Sequence, residues 1–208
     1  MYIQEKKWRA MKITEASAAI IAGGKSRRFG SPKHQALFCG RPLIEWSIEL
    51  AASLSERIIL IASEKQLEQK FGLPVAEDVV PGKGPLGGIL TALKHIETEW
   101  LFVLPVDMPL LKKDIYFKLW ERRKNGRPVV AVSDTGIESM VSLWRRSHAA
   151  LIESLIMSDQ LKINVALRKL NAEEVFFPAE FSVFFSNINF KEDLARLEKI
   201  SKARGRAS

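Results

Sequence analysis

Three stretches of this 208-residue chain, 18–21, 57–62 and 100–106, are apolar almost without interruption, and each precedes a helical pattern. A strand with one wet face alternates polar and apolar residues. Continuous apolar runs separated by helices instead require a mainly parallel sheet covered on both faces. Helical patterns fall at 42–54, 64–71 (closed by Gly72), 86–96, 113–124, 147–156, 159–170 and 191–201. Further strands are expected at 74–78 and 128–133, with a shorter one at 140–144. An apolar segment, 174–185, is broken at Pro178, and an extended stretch from Phe185 feeds the last helix. With 47% hydrophobic residues and no internal repeat, the chain reads as one α/β domain over 17–201. An N-terminal extension, 1–16, and a basic tail, 202–208, flank it.

Composition narrows the function. No apolar run approaches the roughly 20 residues that cross a bilayer, and Met1–Glu15 lacks the apolar centre of a secretory signal. A cytoplasmic protein without membrane contact is the expectation. Cys39 is the only cysteine, which excludes an internal disulfide and a multi-cysteine metal site. The net charge of +8 would suit a nucleic-acid surface or a small anionic ligand. Aromatic residues do not interleave the basic clusters as a stacking platform requires, which favours the small ligand. A basic RNA-binding module without catalysis is the contrasting class.

Ligands of such sheets bind beyond the carboxyl ends of the strands, near a topological switch point. The unusual residues fall there. After Ile20-Ile21 come Ala22, Gly23 and Gly24, then Lys25, Arg27, Arg28, Gly30 and Lys33. The glycines allow a sharp turn and close approach to a ligand, and peptide N–H groups freed among cations suit a polyphosphate. The competing reading is a basic loop kept for solubility, since the spacing is neither a Walker A loop nor the dinucleotide fingerprint. Asp107 leaves the most hydrophobic strand just ahead of Pro109. Beside a phosphate loop it would hold Mg²⁺ together with substrate oxygens; otherwise it caps the next helix. Pro81–Gly88 carries four glycines in eight residues and reads as a substrate-wrapping loop or a flexible turn. Asn187 and Asn189 share a side if extended, as neutral ligands of a hydrated Mg²⁺, with Asn189 alternatively an N-cap. His34 is read as a solvated loop histidine, with phosphate contact as the alternative. His95 and His148 show no evident partner. The absence of a convincing Ser/His pair suits a transfer driven by positioning and charge neutralisation, without a protein nucleophile.

Taken together, IAGGKSRRFGSPK (21–33), Glu77-Asp78, GPLGG (84–88), VDMP (106–109) and NINFKEDL (187–194) resemble the molybdenum cofactor guanylyltransferase family, within the wider nucleotidyltransferases. The resemblance covers about residues 17–200. It implies a Rossmann-like three-layer nucleotidyltransferase domain that transfers GMP from GTP to the phosphate of molybdopterin and releases pyrophosphate. Another base or acceptor, such as CTP or a sugar phosphate, is the alternative within the same class. By this resemblance Ile21, Ala22 and Gly23 hold the guanine and ribose region through backbone groups. Gly24, Arg27 and Arg28 lie along the triphosphate, and Lys33 clamps it. Asp78 binds nucleotide and Asp107 carries Mg²⁺, so Arg28, Lys33 and Asp107 are the catalytic candidates. Gly84, Pro85, Leu86, Gly87, Asn187 and Asn189 are the acceptor candidates. GTP, molybdopterin and transient contacts with other molybdenum-cofactor proteins are the implied partners, with no nucleic acid. Two departures stand out: Ile61 replaces an asparagine of some relatives, and Phe29 a frequent methionine.

Overall fold

The computed structural model describes residues 12–23 and 33–203. In chain order its strands are β1 (Ala16–Ile21), β2 (Leu37–Phe38), β3 (Arg41–Pro42), β4 (Ile58–Ile61), β5 (Val75–Ala76), β6 (Trp100–Pro105), β7 (Val129–Ser133), β8 (Gly136–Arg145) and β9 (Glu173–Phe176). Its α-helices are α1 (Leu43–Leu54), α2 (Gln66–Phe71), α3 (Gly84–His95), α4 (Lys113–Arg122), α5 (Ala149–Met157), α6 (Ile163–Lys169) and α7 (Lys191–Ala203). Seven strands form one sheet in the order β5-β4-β1-β6-β8-β7-β9, while β2 and β3 make a small separate ribbon. All neighbouring pairs in the sheet are parallel except those of β8, which runs against both β6 and β7.

The apolar runs are explained by what lies on each face. Along β1, Ala16, Ala18 and Ile20 point into a core shared with α1, α4 and α7, whereas Ala19 and Ile21 point into one shared with α3, α5 and α6. Along β6, Trp100, Phe102 and Leu104 take the first side and Leu101 and Val103 the second. Helix, sheet and helix therefore stack as three layers, and no position on these strands faces water. Phe102 is fully buried, edge-on to Tyr116 with ring centroids 5.8 Å apart. Removing such a ring typically costs about 3–5 kcal/mol.

Several boundaries differ from the sequence reading. The core begins before residue 17: Ile13 is buried, its N–H donates to the Leu54 carbonyl, and β1 starts at Ala16. The expected short strand over 140–144 is the apolar end of the ten-residue β8, whose first half is too exposed to carry a core pattern. The segment after Phe185 joins no strand; a 3₁₀ helix, Ala179–Phe185, precedes it. Asp159, at φ 56°, and Gln160 end the α5 turn, so α6 starts only at Ile163. The glycine-rich loop is shorter than expected because α3 starts at Gly84, with Pro85 in the first turn, where its missing N–H is not needed.

Two glycines of that segment do specific work. Gly84 adopts φ +64°, which a side chain disfavours. A Cβ on Gly88 would lie 3.1 Å from Ile21 Cγ2 and 3.5 Å from Ile61 Cγ2, so the bare backbone lets α3 seat against the exits of β1 and β4. Gly88→Val should lower unfolding stability by about 1–3 kcal/mol through overpacking. Chemical denaturation checks this, and unchanged stability would mean the helix has room to spare.

Candidate active site

The chain leaves β1 for β4 and β5 on one side and returns to build β6 on the other, which places a switch point at the exits of β1 and β6. A pocket of about 270 Å³ opens there. Ile21, Ala22 and Gly23 from the β1 exit and Pro105, Val106 and Asp107 from the β6 exit line it. Lys33, His34, Pro85 and Met140 complete the wall. A larger groove of about 1010 Å³, between α1, the start of α4 and α7, shares no residue with it.

The backbone at the β1 exit is held in a particular way. Ala22 N–H and Gly23 N–H both donate to the Ile61 carbonyl, at 2.9 and 3.0 Å. In the Gly23–Gly24 turn expected to free its N–H groups, Gly23 therefore does not do so and Gly24 lies outside the described residues; what Ala22 and Gly23 still offer a ligand is carbonyl oxygen. The Ile61 side chain is buried in the second core and gives the pocket no polar group in place of an asparagine.

At the β6 exit the charges converge. Lys33 Nζ donates to Asp107 Oδ2 at 2.7 Å and to Asn189 Oδ1 at 3.0 Å. Backbone bonds hold both acceptors independently of Lys33. Ile188 N–H donates to the Asp107 carbonyl at 2.8 Å, and the N–H groups of Asn189 and Phe190 both donate to Asp193 Oδ2 at 2.9 Å. Those two N–H groups hold the Asp193 carboxyl below its ordinary range, with Arg196 assisting and burial opposing. Asn189 is thus not the cap; Asp193 reaches back from α7 to cap it, leaving the amide for Lys33.

Asp78 follows β5 on the far side of Gly23, where its Oδ2 would lie 4.0 Å from a Cβ on that glycine. Its Oδ1 is buried with no hydrogen-bond partner among the described residues. Burial pushes this carboxyl above its usual value of 3.8. The adjoining chain is fixed on α3: Val79 N–H donates to Thr91 Oγ1, which donates to the Gly87 carbonyl.

Not every candidate faces the pocket. Pro85 lines it, but the Leu86 side chain is fully buried in the core and Gly87 is buried in α3. Neither of these two offers a side chain to an acceptor. Asn187 is half-buried, two residues ahead of the amide that meets Lys33. Gly24, Arg27 and Arg28 lie outside the described residues. His34 is not solvated: it is 4% exposed, with Nε2 3.1 Å from Glu64 Oε2 in an orientation that makes no hydrogen bond. Burial lowers its pKa, with Glu64 opposing and Lys70 assisting, so a neutral imidazole forms part of the wall. His95 and His148 do have partners, Nδ1 against the Thr91 carbonyl and Nε2 against the Gly126 carbonyl respectively. Met140, which the sequence marks only as the start of a short strand, is an unexpected part of the pocket wall. A register shift between Val130 and Ala131 bulges β8 there, and an irregularity of pairing leaves no compositional mark.

Among the described residues no cluster of three or more His, Cys, Asp or Glu side chains could hold a metal. The donor set still fits a hard cation bound jointly with substrate, for which one carboxylate, a neutral oxygen and phosphate oxygens suffice. Asp107 and Asn189 supply the first two, facing the same point now held by the Lys33 ammonium.

Residues 18–174 match the model of the MobA-like NTP transferase domain family. A probable molybdenum cofactor guanylyltransferase of Aquifex aeolicus is 30% identical over 191 residues, 91% of this chain and 94% of that protein. One from Flavobacterium johnsoniae is 32% identical over 178 residues, covering 84% and 92%. Among solved structures, molybdopterin-guanine dinucleotide biosynthesis protein A of Archaeoglobus fulgidus superposes with a TM-score of 0.76 at 28% identity, over 90% of this chain and 99% of that one.

The half-buried Asp78, whose Oδ1 has no partner among the described residues, yields a test independent of turnover. A carboxyl whose folded pKa is raised penalises the fold above that pKa, and the penalty disappears as pH falls through the unfolded value. Asp78→Asn should therefore raise the Tm of the ligand-free protein at pH 8, by less at pH 5, while weakening nucleotide binding. A lower Tm at pH 8 would show that the carboxylate is satisfied.

Proposed function

The chain belongs to the MobA-like NTP transferase family, and on that footing we propose that it transfers GMP from GTP to the terminal phosphate of molybdopterin. In this reaction a phosphate oxygen of the pterin attacks the α-phosphorus of GTP. A new P–O bond forms as the bond to the β-phosphate bridge breaks, and pyrophosphate leaves. No protein nucleophile is needed, so the site has to align the two phosphates and spread their charge. The observation that carries the reading is the meeting of Lys33, Asp107 and Asn189 beside the Ala22–Gly23 backbone, at the sheet's switch point.

Each residue's role follows from its chemistry. With their N–H groups committed to Ile61, Ala22 and Gly23 present acceptors, which suit the N–H donors on guanine's Watson–Crick edge. The orphaned Asp78 oxygen would accept from a ribose hydroxyl or base N–H and be satisfied only when nucleotide is bound. Asp107, with Asn189, would hold a divalent cation, for which we propose Mg²⁺, to neutralise charge on the triphosphate. Lys33 would clamp the phosphates, and Arg27, Arg28 and Gly24 are proposed to line them from the sequence motif. For the acceptor side we propose the half-buried Asn187 and the Gly84–Pro85 turn at the head of α3. We place the reaction in the cytoplasm, where neighbouring molybdenum-cofactor proteins would deliver the pterin and receive the product; no helix among the described residues is long and apolar enough to cross a membrane.

Asp107→Ala should cut metal-dependent pyrophosphate release by about 10³-fold, and Lys33→Ala by about 10²-fold, with the fold retained. Retained turnover in Asp107→Ala would reject the metal assignment. In thermal shift with Mg²⁺, GTP should raise Tm above CTP, ATP and UTP. An equal or larger response to CTP would overturn guanine as the base.

A further inference from the structure

We propose that the Lys33 ammonium is the resident cation of the ligand-free site, competing with a divalent metal for Asp107 so that free metal binds poorly and enters with its nucleotide. This rests on the reading of Asp107 as the metal carboxylate. The ammonium bonds simultaneously to the Asp107 carboxylate and the Asn189 amide oxygen, at 2.7 and 3.0 Å. Those are the two oxygens that fit a hard cation, and the ammonium that already occupies them repels a second cation.

The acceptors do not depend on the lysine for their placement. Asp107 is tied through its carbonyl to Ile188 N–H, and Asn189 through its N–H to Asp193. Lys33 itself sits on a three-residue 3₁₀ turn, Lys33–Gln35, at the end of a four-carbon stem that can swing. The partners' backbones are tied by hydrogen bonds, whereas the ammonium ends a stem with four rotatable bonds. An incoming triphosphate gives it a stronger anionic partner and delivers the replacement charge at the same moment. The pair is also only partly exposed, with side chains 21% and 26% accessible, so solvent screens the competition incompletely.

Mn²⁺ binding to the nucleotide-free protein, followed by the EPR signal of free ion, tests this without any turnover. Lys33→Met, which keeps the stem and removes the charge, should tighten Mn²⁺ binding by about tenfold or more over the unsubstituted protein. Lys33→Gln should act the same way, and the doubly substituted Lys33→Met, Asp107→Ala protein should lose the gain. Far-UV circular dichroism establishes that each variant is folded. Affinity unchanged or weakened in both folded single variants overturns the proposal, as does a gain that survives loss of Asp107. Failure of guanylyl transfer is read separately, in the GTP thermal shift, and does not alter this binding comparison.

Discussion

The interior position of β1, between β4 and β6, is the constraint on which the rest of the molecule depends. It is paired in parallel on both edges and covered by helices on both faces. Its peptide groups are bonded to the flanking chains from its first residues, as Ala18 N–H to the Arg57 carbonyl illustrates. A strand enclosed in this way can turn only where its neighbours stop. Ala22 and Gly23 take that turn and spend both N–H groups on the last carbonyl of β4. The same enclosure explains the small residues Ala16, Ala18 and Ala19, which let helices approach, and Gly88, which lets α3 do so at the exit. One wall of the pocket is therefore a by-product of core packing. Hydrophobic burial, at about 25 cal/mol per Å² of apolar surface, fixes it more firmly than polar contacts within the pocket could.

The opposite wall depends on the chain's late return. Phe177, Phe181, Phe184 and Phe185 form a cluster of edge-on and tilted ring pairs, with the Lys112 ammonium over Phe184 and that of Lys118 over Phe177 and Phe181. That cluster brings residues 186–190 back to the β6 exit, where Ile188 is fully buried and bonded to Asp107. Asn189 thus stands on irregular backbone that is tied at its flank and at its cap. Loops generally carry binding groups because a rigid scaffold positions them; here an aromatic cluster is part of that scaffold.

What was legible in the sequence follows from this division. Continuous apolar runs reveal double-sided burial, so the three layers and the parallel centre could be read from 18–21, 57–62 and 100–106. Strand exits could be read as well, since Gly23 and Asp107 each end such a run. Features decided by partners rather than by their own composition could not. The polar half of β8 is a strand because β7 lies beside it, and Met140 reaches the pocket through a register shift. His34 looks like a loop residue beside Lys33, and only the packing of the chain around it makes it buried and neutral. Leu86 carried a motif's signature yet serves the core, because helix α3 begins earlier than a glycine-rich string suggests.

The site's electrostatics make sense as a ligand-free state that stores binding energy. A half-buried carboxyl whose Oδ1 has no partner among the described residues, Asp78, is costly to the fold, whereas a short Lys33–Asp107 pair on the other wall is comfortable. On the reading proposed above, nucleotide would change both in compensating directions: donors on base or sugar would relieve Asp78, while phosphate and cation would divide the Lys33–Asp107 pair between them. The gain on one wall would offset the loss on the other. Under that reading, affinity would grow only when a ligand carries donors and phosphates at the separation of the two walls, which would discriminate against inorganic phosphate and free nucleoside alike. The proposed selectivity for an intact nucleotide would then reside in the spacing between β5 and β6, set by the two strands, β4 and β1, that lie between them.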